Sequence, residues 1–378
     1  MSLSQTLTPS PVQSDEREAL PTRSAAAPRR VLIVAPSLDI LGGQAIQASR
    51  LLQRLGEEET LSVDLLPVNP RLPGPLRGLQ AIKFVRTLVT FPYYVTLLAM
   101  RVPRYDVIHI FSASYMSFVL APTPAILAGR LFGRRTILNY RSGEADDHLA
   151  RWRSARATIS LVDDVIVPSG YLVDVFRRYG FEARSIANFV DPGKFNFRVR
   201  NPLRPVFLSN RNHEPLYNVP CIIDAFTIIQ SERPDAALIV TGDGSERDMI
   251  EARVRERNLA NVTFHGKVEP ARMAAVYDSA DIYLNSPNID NMPTSVIEAF
   301  ACGLPVVTSN AGGVPYIVEH ERTGLIFPMG DHATMADLAL RLLRDPVLAQ
   351  SIISNARSEC EKYQWSAVRK EWLSLYHE

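Results

Sequence analysis

In NIDNMPTSVIEAFACGLPVVTSNAGGVP, residues 288–315, two carboxylates bracket a polar turn: Asp290 and Glu298 stand with seven residues between them, and Gly312 and Gly313 come after. Pro293 and Gly303 punctuate PTSVIEAFAC as a short helix, with the strand-like run DIYLNSP before it and LPVVTS after it. This is one βαβ unit. In a parallel sheet, ligands sit beyond the carboxyl ends of the strands, which places Asp290, Asn291, Met292, Pro293, Thr294 and Ser295 where a ligand binds. Backbone N–H groups of Thr294, Ser295 and Val296, with the helix dipole, make an anion site suited to a diphosphate. Asp290, outside the helix, can accept from hydroxyls, and Glu298, one turn inside, from vicinal hydroxyls on a second ring. A phosphate flanked by two hydroxyl-reading carboxylates describes a well for a nucleotide sugar. The same acids also read as solvated helix-start residues favoured by the dipole, and the spacing alone does not choose between the two.

Holding such a loop takes a sheet. RRVLIVAP (29–36) is a continuous apolar run ended by proline, followed by the turn SLDILGGQ and the helical pattern AIQASRLLQRL. Similar runs recur at YDVIHIFS (105–112), RTILNYRS (135–142) and DDVIVPS (163–169), with room for a crossover helix between them. Such runs are buried parallel strands. After NPLRPV (201–206) the cycle restarts with PVFLSN, AALIVTGDG, VTFHGKV, DIYLNSP, LPVVTS and GLIFP. The expected fold class is α/β, two doubly wound domains in tandem: residues 29–190 and 205–355, joined by a linker at 191–204. The segment QWSAVRKEWLSLYHE puts Trp365, Val368, Trp372 and Leu375 on one helical face that must be buried.

A chain of 378 residues, 46% hydrophobic and 21% charged, fits a globular protein of two domains. Cys221, Cys302 and Cys360 make no CxxC or Cys/His spacing and read as reduced core residues of a cytoplasmic protein, with no metal site expected. Residues 1–28, rich in Ser, Pro, Thr and Ala, have no apolar run long enough for a signal peptide and read as a disordered tail. The net charge of +1 is unevenly shared: residues 29–190 carry +7 and residues 191–378 carry −5. The front half is therefore the one to face an anionic partner such as a phospholipid surface or a lipid phosphate. Nucleic acid is not expected. No stretch reaches the ~20 uninterrupted apolar residues of a spanning helix. The nearest, LQAIKFVRTLVTFPYYVTLLAMR (79–101), is interrupted by Lys83, Arg86 and Pro92. It reads either as a core or inter-domain helix pair or as a basic-aromatic surface dipping into a bilayer interface, a peripheral contact at the inner face of a membrane.

The acidic loop and the residues after it resemble the donor-site signature of the family-4 retaining glycosyltransferases (glycosyl transferases group 1) of GT-B fold. The matching letters are Glu298, AFACGLPVV, NAGGVPYIVE and RTGLIF, over some forty residues. Weaker likenesses in GGQAIQASRLLQRL, TGDGSERDMIE and VTFHGKV extend the resemblance over nearly all of residues 30–378. The resemblance implies two Rossmann-like domains facing across a cleft, an N-terminal acceptor domain and a C-terminal donor domain. It also implies a last helix, within 356–378, crossing back to the first domain. Residue by residue, it implies that Glu298 bonds the ribose hydroxyls, that Asp290 contacts the transferred sugar, and that Arg211 holds the diphosphate. Gly42 and Gly43 match the turn through which the first domain closes over the donor phosphates, where glycine lets backbone approach closely.

Three departures qualify the match. The first acid is Asp290 where the pattern has Glu; Tyr217 or Asn218 falls where a lysine normally follows the arginine; and Arg141, Ser142 and Gly143, then Glu144, stand where many relatives carry His-Gly. Arg141, at the end of a strand in the basic domain, is a candidate for the missing positive charge. His109, inside an apolar strand, reads as a satisfied core residue, and His265 as lining the base pocket. The resulting expectation is a retaining, metal-independent hexosyltransferase with a UDP-sugar favoured over a GDP-sugar and no separate cofactor. Its acceptor would be a glycan or a lipid-linked or surface-polysaccharide precursor. The rival readings are a nucleotide-sugar-binding scaffold without turnover and a GT-B epimerase.

Overall fold

The computed structural model describes residues 27–37, 43–82 and 85–378. The expected tail falls outside the described residues apart from Ala27 and Pro28, as do Gly42 and Lys83. Among the described residues, twelve strands form two sheets of six, and every pairing within them is parallel. The first holds β1 (Arg29–Ala35), β2 (Leu61–Pro67), β3 (Val107–Ser112), β4 (Arg135–Tyr140), β5 (Asp164–Val167) and β6 (Arg184–Ser185) in the order β2-β1-β3-β4-β5-β6. The second holds β7 (Val206–Ser209), β8 (Ala237–Thr241), β9 (Val262–Gly266), β10 (Ile282–Asn285), β11 (Val306–Ser309) and β12 (Leu325–Phe327) in the order β12-β11-β10-β7-β8-β9.

Apolar clusters cover both faces of each sheet, which is why the central strands are runs of apolar letters rather than alternations. All six residues of β3 are buried. His109 sits among them fully buried, its Nδ1 2.7 Å from the Tyr376 hydroxyl and its Nε2 3.0 Å from Asn139 Nδ2. It is a core histidine. Burial, with Arg141 adding to it, pulls its pKa down to about 3.

Tyr376 belongs to the helix Trp365–His377, which lies on the first sheet although it follows the second in sequence. Val368, Trp372, Leu375 and Tyr376 are buried in one cluster with Val31 and Ile33 of β1, Val107 of β3 and Ile137 of β4. Burying each large apolar side chain contributes about 1.5–3 kcal/mol against the entropy of ordering it. The half-exposed Arg369–Glu58 ion pair at the same helix contributes about 0–1 kcal/mol, so packing is the anchor. The preceding helix, Pro346–Glu359, packs instead beside the helix Thr294–Cys302, so a division at 355/356 falls inside a helix. Of the segment 191–204, the latter part is fastened to the second sheet. Arg198, Arg200 and Arg204 converge on Asp281, which is 1% exposed; burial pushes its pKa up, but Arg204 foremost and then Arg198 outweigh that and hold it below the usual carboxylate range.

The 79–101 stretch is not a buried helix pair. Residues 85–101 form one helix with Pro92 inside it, and only Tyr94 and Leu98 of it are buried. All three cysteines are free and buried. Among the described residues, no helix is long and apolar enough to cross a membrane.

Candidate functional site

In each sheet the strand order reverses once: between β1 and β3 in the first, and between β7 and β10 in the second. Such a reversal opens a crevice at the carboxyl ends of the two flanking strands. In the second sheet, β7 ends at Ser209 and leads into Arg211, while β10 ends at Asn285 and leads into the Asp290 loop. Arg211 and Asp290 thus come from the two strands that border one crevice. Facing it, across a cleft of about 780 Å³, are Gly43, Gln47 and Arg50 of the helix Gly43–Leu55, and Arg141 to Glu144 after β4.

Arg211 is 9% exposed and held from three sides. Its Nη2 donates to Asp290 Oδ2 at 2.5 Å, its Nη1 donates to Ser295 Oγ at 2.9 Å, and its guanidinium carbon lies 4.0 Å from the centre of the Tyr217 ring. Burial opposes its charge, but the Asp290 carboxylate outweighs that and holds the pKa above the usual arginine range. The other Asp290 oxygen accepts from the Asn291 amide at 2.8 Å. The position where the family pattern has lysine therefore holds an aromatic face that stacks on the arginine. Asn218 is left-handed (φ 46°) and opens the helix Val219–Glu232.

Two glycine loops brace these groups from behind. A Cβ on Gly313 would lie 1.8 Å from the Asn291 carbonyl oxygen, and one on Gly242 (φ +114°) would lie 2.2 Å from that of Arg211. The GG and GDG turns are close approaches of backbone to the two acid- and cation-bearing loops, which only glycine permits.

Glu298 projects from the second turn of the helix Thr294–Cys302 into the same cleft, its side chain 12% exposed. Its Oε1 accepts from Arg50 Nη2 at 3.0 Å, across the cleft, and its Oε2 accepts from the Tyr277 hydroxyl at 3.1 Å. Tyr277, fully buried, lies 3.0 Å from the Ser295 carbonyl and accepts from Asn210 Nδ2 at 2.6 Å; Asn210 Oδ1 in turn accepts from Tyr283. This chain of hydrogen bonds, one buried and three partly so, fixes the Glu298 carboxylate and ties it to the Arg211 strand end. At the helix start, no carbonyl among the described residues receives the amides of Thr294 and Ser295. Val296 departs from expectation: it is fully buried, and its amide is taken by the Pro293 carbonyl at 3.2 Å in a tight first turn. The helix start thus leaves two amides open, not the three expected.

The two sheets meet on the same loop. Asn291 Nδ2 donates to the Arg141 carbonyl at 2.6 Å, and Asn188 Nδ2 donates to the Met292 carbonyl at 3.0 Å. Asn291 and Met292 thus hold the halves together as much as they line the cleft. The Arg141 guanidinium donates to Asn139 Oδ1 at 3.1 Å and lies 5.4 Å from the Phe111 ring centre, with no carboxylate partner among the described residues. Burial pulls its pKa down to about 9.

The cleft thus collects Gly43, Arg141, Arg211, Asp290, Asn291, Met292, Pro293, Thr294, Ser295 and Glu298. It does not collect His265, whose side chain is exposed outside it; Lys267 and Val268 line that end instead. Sequence reasoning also missed Arg50, Asn210 and Tyr277. Among the described residues, no three His, Cys, Asp or Glu side chains gather as a metal site.

Residues 194–359 match the family described as Glycosyl transferases group 1. The chain is 28% identical over 217 residues to the phosphatidyl-myo-inositol mannosyltransferase of Mycobacterium leprae, covering 57% of this chain and 53% of that one. It is 26% identical over 208 residues to the N-acetyl-alpha-D-glucosaminyl L-malate synthase of Bacillus anthracis, covering 52% and 54%. The aligned region thus spans about half the length of these curated relatives. In three dimensions the chain is similar to sucrose-phosphate synthase of Thermosynechococcus elongatus, with TM-score 0.74 and 21% identity over 92% of this chain and 98% of that one. It is also similar to Anabaena Alr3699/HepE in complex with UDP and glucose, with TM-score 0.71 and 17% identity over 92% and 99%. At such identities the likeness speaks for the fold alone. Two parallel α/β sheets facing across a cleft give this chain the GT-B fold, and the match to the glycosyl transferases group 1 lies over the second of them, at residues 194–359.

Proposed function

We propose that the chain is a retaining glycosyltransferase that moves a hexose-type sugar from a nucleotide diphosphate sugar, a UDP-sugar ahead of a GDP-sugar, to a glycan or lipid-linked acceptor. One observation carries this reading: Arg211, the open amides of Thr294 and Ser295, and the Glu298 carboxylate converge on one cleft between the sheets. The diphosphate lies against the amides and Arg211, the ribose hydroxyls reach Glu298, and the sugar hydroxyls reach Asp290. In this structure Arg211 and Asp290 satisfy one another. A donor offers each a replacement, phosphate oxygens for the cation and hydroxyls for the acid, so both are held in place before it arrives.

In the reaction the bond from the anomeric carbon to the diphosphate oxygen breaks and a bond from that carbon to the acceptor oxygen forms on the same face. The acceptor proton passes to the departing diphosphate. The chain's part is to position both substrates and to stabilise the leaving charge. Arg211 serves that charge from the second sheet, and Arg141, with no carboxylate partner among the described residues, from the first. No metal ion takes part in this scheme.

Incubating the protein with a panel of nucleotide sugars, with and without simple glycan acceptors, and following diphosphate release and sugar identity tests the reading. Release that rises with acceptor supports it. A changed sugar without acceptor would make the chain an epimerase, and tight binding with neither outcome would make it a scaffold.

A further inference from the structure

We propose that the outer face of the helices Val85–Arg101 and Pro122–Leu131 docks on the surface of an anionic lipid bilayer. A surface helix normally turns its apolar residues inward. The 85–101 helix does so with Tyr94 and Leu98, yet its outward positions also carry Leu88, Pro92, Val95, Ala99 and Met100, all exposed. Leu88 is 75% exposed and Met100 56%. The neighbouring 122–131 helix adds Leu127 and Leu131, the latter 79% exposed, and the loop after it adds Phe132. The two helices are held side by side: the Tyr94 hydroxyl donates to the Ala121 carbonyl, and Arg134 Nη2 donates to the Pro103 carbonyl. Their apolar outer residues therefore share one side of the first domain.

Charge says what covers this face. From residue 65 to residue 143 the chain carries ten Lys/Arg and a single carboxylate, Asp106, which Arg30 engages. Arg86, Arg104 and Arg130 flank the apolar residues, are exposed, and have no carboxylate partner among the described residues. The helix Arg153–Ile159, packed beside the 122–131 helix, contributes a further exposed Arg153 and no acid. An apolar centre rimmed by these arginines is complementary to acyl chains beneath a layer of anionic headgroups. A second copy of the chain would set these cations against their own kind. Tyr115, which lines a recess of about 540 Å³ beside the donor cleft, is followed directly by the 57% exposed Met116. The apolar side thus extends to the rim of the place where an acceptor can enter.

Co-sedimentation of the whole protein with vesicles of phosphatidylcholine, and of phosphatidylcholine mixed with phosphatidylglycerol, tests this docking. The wild type is expected to bind the mixed vesicles, to be released by raised salt, and to ignore the neutral ones. Each arginine near an anionic surface strengthens partitioning by about fivefold, so R104Q/R130Q should bind about 25-fold more weakly. L88S/L131S should lose at least about tenfold through its apolar contact. Both pairs of positions are exposed, so the melting temperature and UDP binding stay at wild-type values, and the donor-site reading is tested apart from this one. Absence of wild-type binding to the mixed vesicles, equal binding to neutral ones, or undiminished binding of both variants would overturn the proposal. So would sedimentation velocity showing a dimer that L88S/L131S breaks, since a second copy would then be the occupant.

Discussion

Replacing Glu298 by Gln keeps the shape of the side chain and removes one of its two acceptor oxygens. In this structure each oxygen receives one donor, Arg50 on one and Tyr277 on the other. Each has a lone pair left for a ribose hydroxyl. Hydrogen bonds to a charged group contribute about 1.5–3 kcal/mol each, and Gln keeps one acceptor, so nucleotide binding should weaken by about 1.5–3 kcal/mol, or roughly 10- to 150-fold in Kd. Folding should suffer far less. The Arg50–Glu298 pair, with side chains 24% and 12% exposed, is partly screened, and its loss costs about 1 kcal/mol or less. The assay is titration calorimetry of wild type and E298Q with UDP and with 2′,3′-dideoxy-UDP. Reading of the ribose by this carboxylate predicts that the variant loses affinity for UDP and that the two proteins bind the dideoxy compound about equally. An equal loss for both nucleotides would mean that Glu298 acts only through the architecture around Arg50 and Tyr277. No loss for either would remove it from the site.

The same geometry predicts other outcomes. Arg141→Ala should lower turnover at least about tenfold while the Kd for UDP stays within about twofold, because a charge that acts on the leaving group counts mainly in the transition state; unchanged turnover would remove Arg141 from the mechanism. Gly313→Ala forces a Cβ to within 1.8 Å of the Asn291 carbonyl, so the melting temperature and nucleotide binding should fall together, and a variant with normal binding would refute the bracing role of the glycine pair. Turnover should survive EDTA undiminished, and loss that magnesium restores would overturn the metal-free scheme. His109 and His148 are held by burial at pKa values of about 3 and about 4, below the unfolded value, so the folded state gives up protons that the unfolded state keeps. Their stabilisation is complete above about pH 6.5 and is lost as pH falls toward those values, with a slope of up to about 2.7 kcal/mol per pH unit for the two together. Urea melts at a series of pH values from 7 to 4 measure it, and a flat profile would show that these imidazoles are not buried as neutral groups.

The local part of the site is legible in the sequence because its chemistry is local. Asp290, the helix start and Glu298 lie within nine residues, and Pro293 and Gly303 punctuate the helix that carries them. Arg211 is legible from its place after a strand. Arg50 and Tyr277 are not, since their contacts with Glu298 depend on how the two halves face one another and on which strands adjoin. The letters around Arg50 show only an amphipathic helix. The strand order that seats β7 beside β10 is set by which sheet faces the helices cover, and no run of letters records it. The cleft wall at that end lies two residues from the expected position, at Lys267 rather than His265, because β9 is an edge strand whose side chains alternate outward. The 79–101 stretch misleads toward a core assignment because apolar periodicity does not say which face finds a partner.

The docking of the Trp365–His377 helix on β1, β3 and β4 has a consequence for how the molecule comes into being. A ribosome finishes the strands of the first sheet long before it makes their cover. About 200 residues separate β5 from that helix, which at 5–20 residues per second is a wait on the order of 10–40 s. During that interval Val31, Ile33, Val107 and Ile137 present an oily, half-built wall to the cell. Chaperones have their longest opportunity there, and a message truncated anywhere in the second half yields a first domain that cannot seal itself.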